Sequence, residues 1–143
     1  LHIGAAVAGA SAAHNAALSE YGLALGEAFQ LRDDVLGVFG DSATTGKPAG
    51  DDLRERKQTV LLALALADPT CGTRISELLA RETLTTDNIT ELQTLVAHSG
   101  AIDTVEQMIS DGVDRALSAI ADFPPESKEA LTTLAVMSTR REA

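Results

Sequence analysis

Apolar residues in this chain recur every three or four positions, and alternation over period two is absent. That pattern admits amphipathic helices and leaves no strand to predict. The breakers divide the chain into segments. A small-residue stretch, Leu1 to Ala10, reads as a helix or the end of one, with no capping residue before it. Ser11 is placed to cap the next helix, which the pattern carries to about Phe39, roughly 40 Å at about 1.5 Å per residue. Gly40 to Asp51 holds three glycines and a proline and reads as a loop. Asp52 and Glu55 have the spacing of a capping box, so a helix carried by Leu53, Val60, Leu61, Leu64 and Leu66 is predicted to start at Asp52. Pro69 to Gly72 ends it. Further helices are predicted near Arg74–Arg81, from Thr86 or Asp87 to Gly100, and over Ala101–Phe123. Pro124-Pro125 breaks the last of these, and a final helix runs to about Arg141.

At 143 residues the chain is one domain or a piece of a larger one. Its 11 basic against 21 acidic side chains give a net charge of −10, which excludes the basic surface that a nucleic-acid backbone requires. The single cysteine, Cys71, excludes an internal disulfide and a cysteine-based zinc site. No apolar run is long enough for a membrane span, and no signal peptide is visible, so a soluble, cytoplasmic protein is expected.

The stretch from Tyr21 to Leu62 carries the chemistry. On a helical wheel at about 100° per residue, Gln30 and Gly37 fall between Asp33 and Asp34, and Gly22 and Gly26 extend the Asp33 stripe. Two adjacent ionised acids repel unless a cation sits between them. Oxygen-only ligands suit Mg²⁺, which keeps several waters and often shares phosphate oxygens. Lys47 in the loop and Lys57 beyond it are the cations a diphosphate would need. The same residues could instead form a solvated charged face, with the glycines marking close helix packing. His2, His14 and His98 are scattered without metal-ligand spacing, and no serine has the context of a nucleophile elbow.

The string Tyr21-Gly22…Gly26…Ala28-Phe29-Gln30-Leu31-Arg32-Asp33-Asp34 resembles the second aspartate-rich region of the trans-isoprenyl diphosphate synthases, the polyprenyl synthetase family. Gly40-Asp41…Gly46-Lys47-Pro48…Gly50-Asp51-Asp52-Leu53…Lys57…Thr59 resembles that family's next block, and Leu1-His2-Ile3-Gly4-Ala5 the segment after its Lys-Thr motif. The resemblance implies an all-α chain, the C-terminal helical half of a terpenoid-synthase-type bundle, with residues 1–143 forming part of one domain. It implies Mg²⁺-dependent condensation of isopentenyl diphosphate with an allylic diphosphate to a polyprenyl diphosphate such as geranylgeranyl diphosphate. It also implies a homodimer and a missing N-terminal half, without which this chain alone is inactive. By position, Asp33 and Asp34 belong to the Mg²⁺ site, Asp52 is an outer-shell acid, Gln30 lies by the allylic diphosphate, and Lys47 and Lys57 contact the leaving diphosphate.

Two departures stand out. Gly37 occupies the fifth position of the family's Asp-Asp-x-x-Asp motif, and no other such motif occurs in the chain. Both leave open a rival reading, a non-catalytic helical subunit or degenerate homologue that serves as a binding partner. A class I terpene cyclase shares the fold and the metal chemistry but does not normally carry the Gly46-Lys47-Pro48 and Lys57 blocks.

Overall fold

The computed structural model describes residues 1–40 and 49–140. Among them all regular structure is helical: α1 (His2–Val7), α2 (Ala12–Phe39), α3 (Asp51–Arg54), α4 (Val60–Ala67), α5 (Gly72–Leu79), α6 (Thr86–His98), α7 (Ala101–Ala119) and α8 (Pro125–Thr139). The Ser11 hydroxyl accepts from the His14 amide at 3.2 Å, so α2 begins as the sequence predicts. Pro125 opens α8 behind Pro124, and α8 ends at Thr139, with Arg140 as its cap.

Two compact units divide the described residues, 1–30 with 108–140 and 31–107. In the first, Tyr21, Ala24, Leu25, Ala116, Ile120 and Ala135 form the core, edged by Leu117, Phe123 and Leu131. These positions repeat at three and four, which puts them on single helix faces. Gly112 makes the close approach of α7 to α2 possible, since a Cβ there would lie 3.1 Å from Ala28 Cβ and 3.2 Å from the Ala24 carbonyl oxygen. Gly26, by contrast, has no atom of the described residues within 4 Å of the space a Cβ would take. Tyr21 is fully buried, which pushes its phenol pKa up, and its hydroxyl donates to the Leu131 carbonyl at 2.7 Å. Tyr21→Phe should therefore cost about 1 kcal/mol, because a partly buried hydrogen bond between α2 and α8 is lost. Chemical denaturation checks this; an unchanged midpoint would mean that water replaces the hydroxyl.

In the second unit the side chains of Leu53, Leu61, Ile75, Leu78, Leu92 and Val96 are almost completely buried. The structure departs here from the single helix predicted from Asp52 onward. Gly50, at φ +76°, takes the N-cap position of α3, and Asp52 lies inside that helix with no capping role. The chain then turns through Arg56, at φ +52°, and restarts at α4, where the Thr59 side chain accepts from the Leu62 amide at 3.1 Å. The predicted capping box thus gives way to a glycine cap and a new threonine cap. A real capping box occurs at α6, between Thr85 and Asn88, and the helix itself starts at Thr86 as the sequence predicts. Asp68 accepts from the Thr70 and Cys71 amides, which starts α5 two residues earlier than Arg74.

Candidate active site

Asp33 and Asp34 are neighbours on α2 with different surroundings. Asp33 is exposed, whereas Asp34 is only 5% exposed. Asp34 occurs in the pattern Leu31, Asp34, Val35, Val38, whose members are all buried, so its carboxylate enters the unit with the apolar stripe. Asp52 on α3 is also buried, at 7% exposure. The Lys57 ammonium joins the two acids: Nζ donates to Asp34 Oδ1 at 3.2 Å and to Asp52 Oδ2 at 3.1 Å. Burial alone would lower the Lys57 pKa, but hydrogen bonds and charge from Asp52 and Asp34 outweigh it, and the net shift is upward.

Gly37 completes this arrangement by what it lacks. A Cβ at residue 37 would overlap Asp52 Oδ2 and Cγ and lie 2.8 Å from Oδ1. The Asp52 carboxylate therefore fills the space in which a side chain at the fifth motif position would start.

Arg32 and Glu106 fix the helix on its other side. The guanidinium makes a two-pronged pair with the carboxylate, at 2.6 and 2.7 Å. Such a planar fork is specific in direction as well as favourable in energy. It ties α2 to α7 at this level of the second unit. At the end of α2, the Gln93 amide donates to the Val38 carbonyl at 2.6 Å. Gly50 packs against Ile89 and Gln93 of the same helix, α6. Gln93, Glu106 and Arg56 carry no signal in sequence, because each acts through a partner distant along the chain.

Of the residues predicted for the site, Asp34, Asp52 and Lys57 are brought together. Asp33 sits beside them on α2 and faces outward. Gln30 is exposed and falls in the first unit. Lys47, Gly46 and Pro48 lie outside the described residues. His2, which has no metal-ligand spacing, ties α1 to α2 through Asn15 Oδ1 at 3.3 Å and Ser19 Oγ at 3.1 Å.

The described residues include no group of three or more His, Cys, Asp or Glu side chains arranged to hold a metal ion. The donors that are present are all carboxylate oxygens, which suits a hard divalent cation. Two of the carboxylates already share the Lys57 ammonium. The set fits Mg²⁺ as a partial shell, completed by water and by the oxygens of an anionic ligand, and does not make a self-sufficient cage.

No helix among the described residues is long and apolar enough to cross a membrane. The family model for polyprenyl synthetase matches residues 1–96. Over 135 residues the chain is 38% identical to a geranylfarnesyl diphosphate synthase of Aeropyrum pernix, an alignment that covers 92% of this chain and 42% of that one. It superposes with a TM-score of 0.88 and 44% identity on a geranylgeranyl pyrophosphate synthase of Corynebacterium glutamicum complexed with isoprenyl diphosphate and magnesium, covering 99% of this chain and 41% of that one. A polyprenyl synthase of Caulobacter crescentus CB15 complexed with calcium and isoprenyl diphosphate superposes with a TM-score of 0.84 and 40% identity, covering 98% and 44%. The chain thus spans about two fifths of the length of the relatives it matches. An all-helical fold that buries Asp34 and Asp52 around Lys57, together with these matches, places the chain in the polyprenyl synthetase family.

Proposed function

We propose that this chain supplies the second metal and diphosphate side of a trans-prenyltransferase, as the C-terminal half of the synthase domain. The reaction is the condensation of isopentenyl diphosphate with an allylic diphosphate to give a longer polyprenyl diphosphate. The observation that carries this reading is the Lys57 ammonium held on the buried carboxylates of Asp34 and Asp52. An acidic chain that gathers two buried acids under one partly exposed ammonium has a charge arrangement suited to a polyanion that arrives with its own cations.

In the proposed reaction the bond between the allylic carbon and its diphosphate oxygen breaks, and the electron pair leaves with the diphosphate. The double bond of isopentenyl diphosphate then attacks the allylic carbon, and loss of a proton restores a double bond in the product. Negative charge grows on the leaving diphosphate, so groups that meet it there act more strongly in the transition state than in the ground state. Lys57 and Lys47 are assigned to that charge. Gln30 is assigned to the allylic diphosphate and the developing cation, Asp33 and Asp34 to the Mg²⁺ ions, and Asp52 to metal-bound water as an outer-shell acid. Mg²⁺, when bound, supplies Lewis-acid neutralisation of the diphosphate. The protein works in the cytoplasm as a homodimer in this reading.

Calorimetry tests the site directly. Because Asp34 and Asp52 already hold the Lys57 ammonium and no third motif acid stands at Gly37, Mg²⁺ alone should give little heat, and Mg²⁺ with an allylic diphosphate should give a clear saturable signal. Tight binding of Mg²⁺ without any diphosphate, or no binding with it, would overturn the assignment. The second reading, a non-catalytic subunit, is favoured by one observation: Gly37 stands where a third motif acid would be. Turnover measurements on Lys57→Ala decide between the two.

A further inference from the structure

Arg56 is the only described residue other than glycine with a left-handed backbone, at φ +52°. It immediately precedes Lys57. The Arg56 amide donates to the Leu53 carbonyl at 3.2 Å, and the Lys57 amide donates to the Asp52 carbonyl at 2.9 Å. This pair of bonds is a Schellman closure of α3, with Arg56 in the position that glycine usually takes. A residue with a Cβ is disfavoured there by a factor of about 5–30. With only four residues, α3 has little intrinsic stability with which to impose the turn.

The Arg56 side chain offsets that cost. Its Nε donates to the Leu79 carbonyl at 3.0 Å, and its Nη2 donates to the Arg81 carbonyl at 2.6 Å and the Glu82 carbonyl at 3.4 Å. These carbonyls lie at and beyond the C-terminal end of α5, where helix carbonyls lack intrahelical partners and a cation is favoured. Ile75 and Leu78 anchor α5 in the core with no exposed surface, so the guanidinium is fastened to a fixed element. The consequence falls on Lys57. The reversal of the chain at Arg56 returns the Lys57 amide to Asp52 and brings its ammonium onto the Asp52 and Asp34 carboxylates.

We propose that Arg56 is a positioning residue for Lys57: by clamping the carbonyls that follow α5, it holds the left-handed turn that delivers the Lys57 ammonium to Asp34 and Asp52. The effect expected on turnover rests on the reading of Lys57 given above, whereas the effect on the turn does not.

The test uses Arg56→Ala, Arg56→Gly, Lys57→Ala and the double variant Arg56→Ala with Lys57→Ala, each in the synthase that carries this chain. Alanine loses the clamp and keeps the Cβ that disfavours a positive φ; glycine loses the clamp and the Cβ penalty together. Amide hydrogen exchange at Lys57 should quicken about 5- to 30-fold in Arg56→Ala and stay near the wild-type rate in Arg56→Gly. Turnover should follow the same order. Arg56→Ala should lower kcat about tenfold or more with KM for isopentenyl diphosphate unchanged, and Arg56→Gly should restore it. The double variant should be no slower than Lys57→Ala alone. Unchanged exchange at Lys57 in Arg56→Ala would overturn the proposal. So would equal losses in the alanine and glycine variants that add to the loss in Lys57→Ala, because Arg56 would then be a structural tie and nothing more. If exchange behaves as expected and Lys57→Ala turns over normally, the positioning role stands and the diphosphate role of Lys57 falls.

Discussion

Gly37→Asp, the substitution that writes the common third acid back into the motif, should damage the site. The first atom of the new side chain overlaps the Asp52 carboxylate. The Asp52 carboxylate must then shift, and a shift that breaks its bond to Lys57 leaves a buried acid without its cation. Gly37→Ala isolates the steric part, and overpacking of this kind costs about 1–3 kcal/mol. Aspartate adds a third negative charge beside two buried carboxylates that share one ammonium, for a total of about 3–5 kcal/mol. Thermal denaturation should rank wild type above Gly37→Ala and Gly37→Ala above Gly37→Asp, and turnover should fall in that order. A Gly37→Asp enzyme that melts with wild type and turns over faster would mean that Asp52 has ample room to move and that the missing acid limits the native site.

This expectation reverses what the motif alone implies, and the reason lies in which features a sequence carries locally. The limits of α2 were legible from Ser11 and the glycine after Phe39, because caps and breakers act within a turn of where they stand. The acid pair was legible for the same reason. The wheel placed both acids on one face, yet only Asp34 is buried, since Asp34 falls with the apolar stripe of Leu31, Val35 and Val38 and Asp33 does not. Asp52 and Glu55 have the spacing of a capping box, but Asp52 sits inside α3 and its carboxylate goes to Lys57. Nothing in the local string separates an acid that caps from an acid that binds a cation five residues later. The role of Gly37 was likewise out of reach, because the atom that would collide with a side chain there comes from a different helix.

Lys57→Ala should have two effects, separable by measurement. The first is on stability. Asp34 and Asp52 stay buried and lose the ammonium that bridges them, while Lys57 itself has a side chain 40% exposed. Breaking a fully buried pair costs more, but solvent screening at the lysine end reduces the loss here to about 1–3 kcal/mol. The folded-state pKa of Lys57 is raised above its ordinary value of 10.5, so the pair contributes fully below that value and is lost only as pH rises through the higher folded one. The stability gap between wild type and Lys57→Ala should therefore stay constant across the neutral range and close only in strong alkali. The second effect is on chemistry. If the ammonium meets the leaving diphosphate, turnover should fall by a factor of about 10²–10³, as for other preorganised groups that stabilise developing charge. Lys47→Ala should act in the same direction with little change in melting temperature, since the sequence reads Lys47 as a loop lysine, and the loss of such a residue is worth less than about 0.5 kcal/mol. The two losses should not add, because both residues serve one leaving group. A stability loss with unchanged turnover would assign Lys57 to the fold alone, and the balance would move to the non-catalytic subunit.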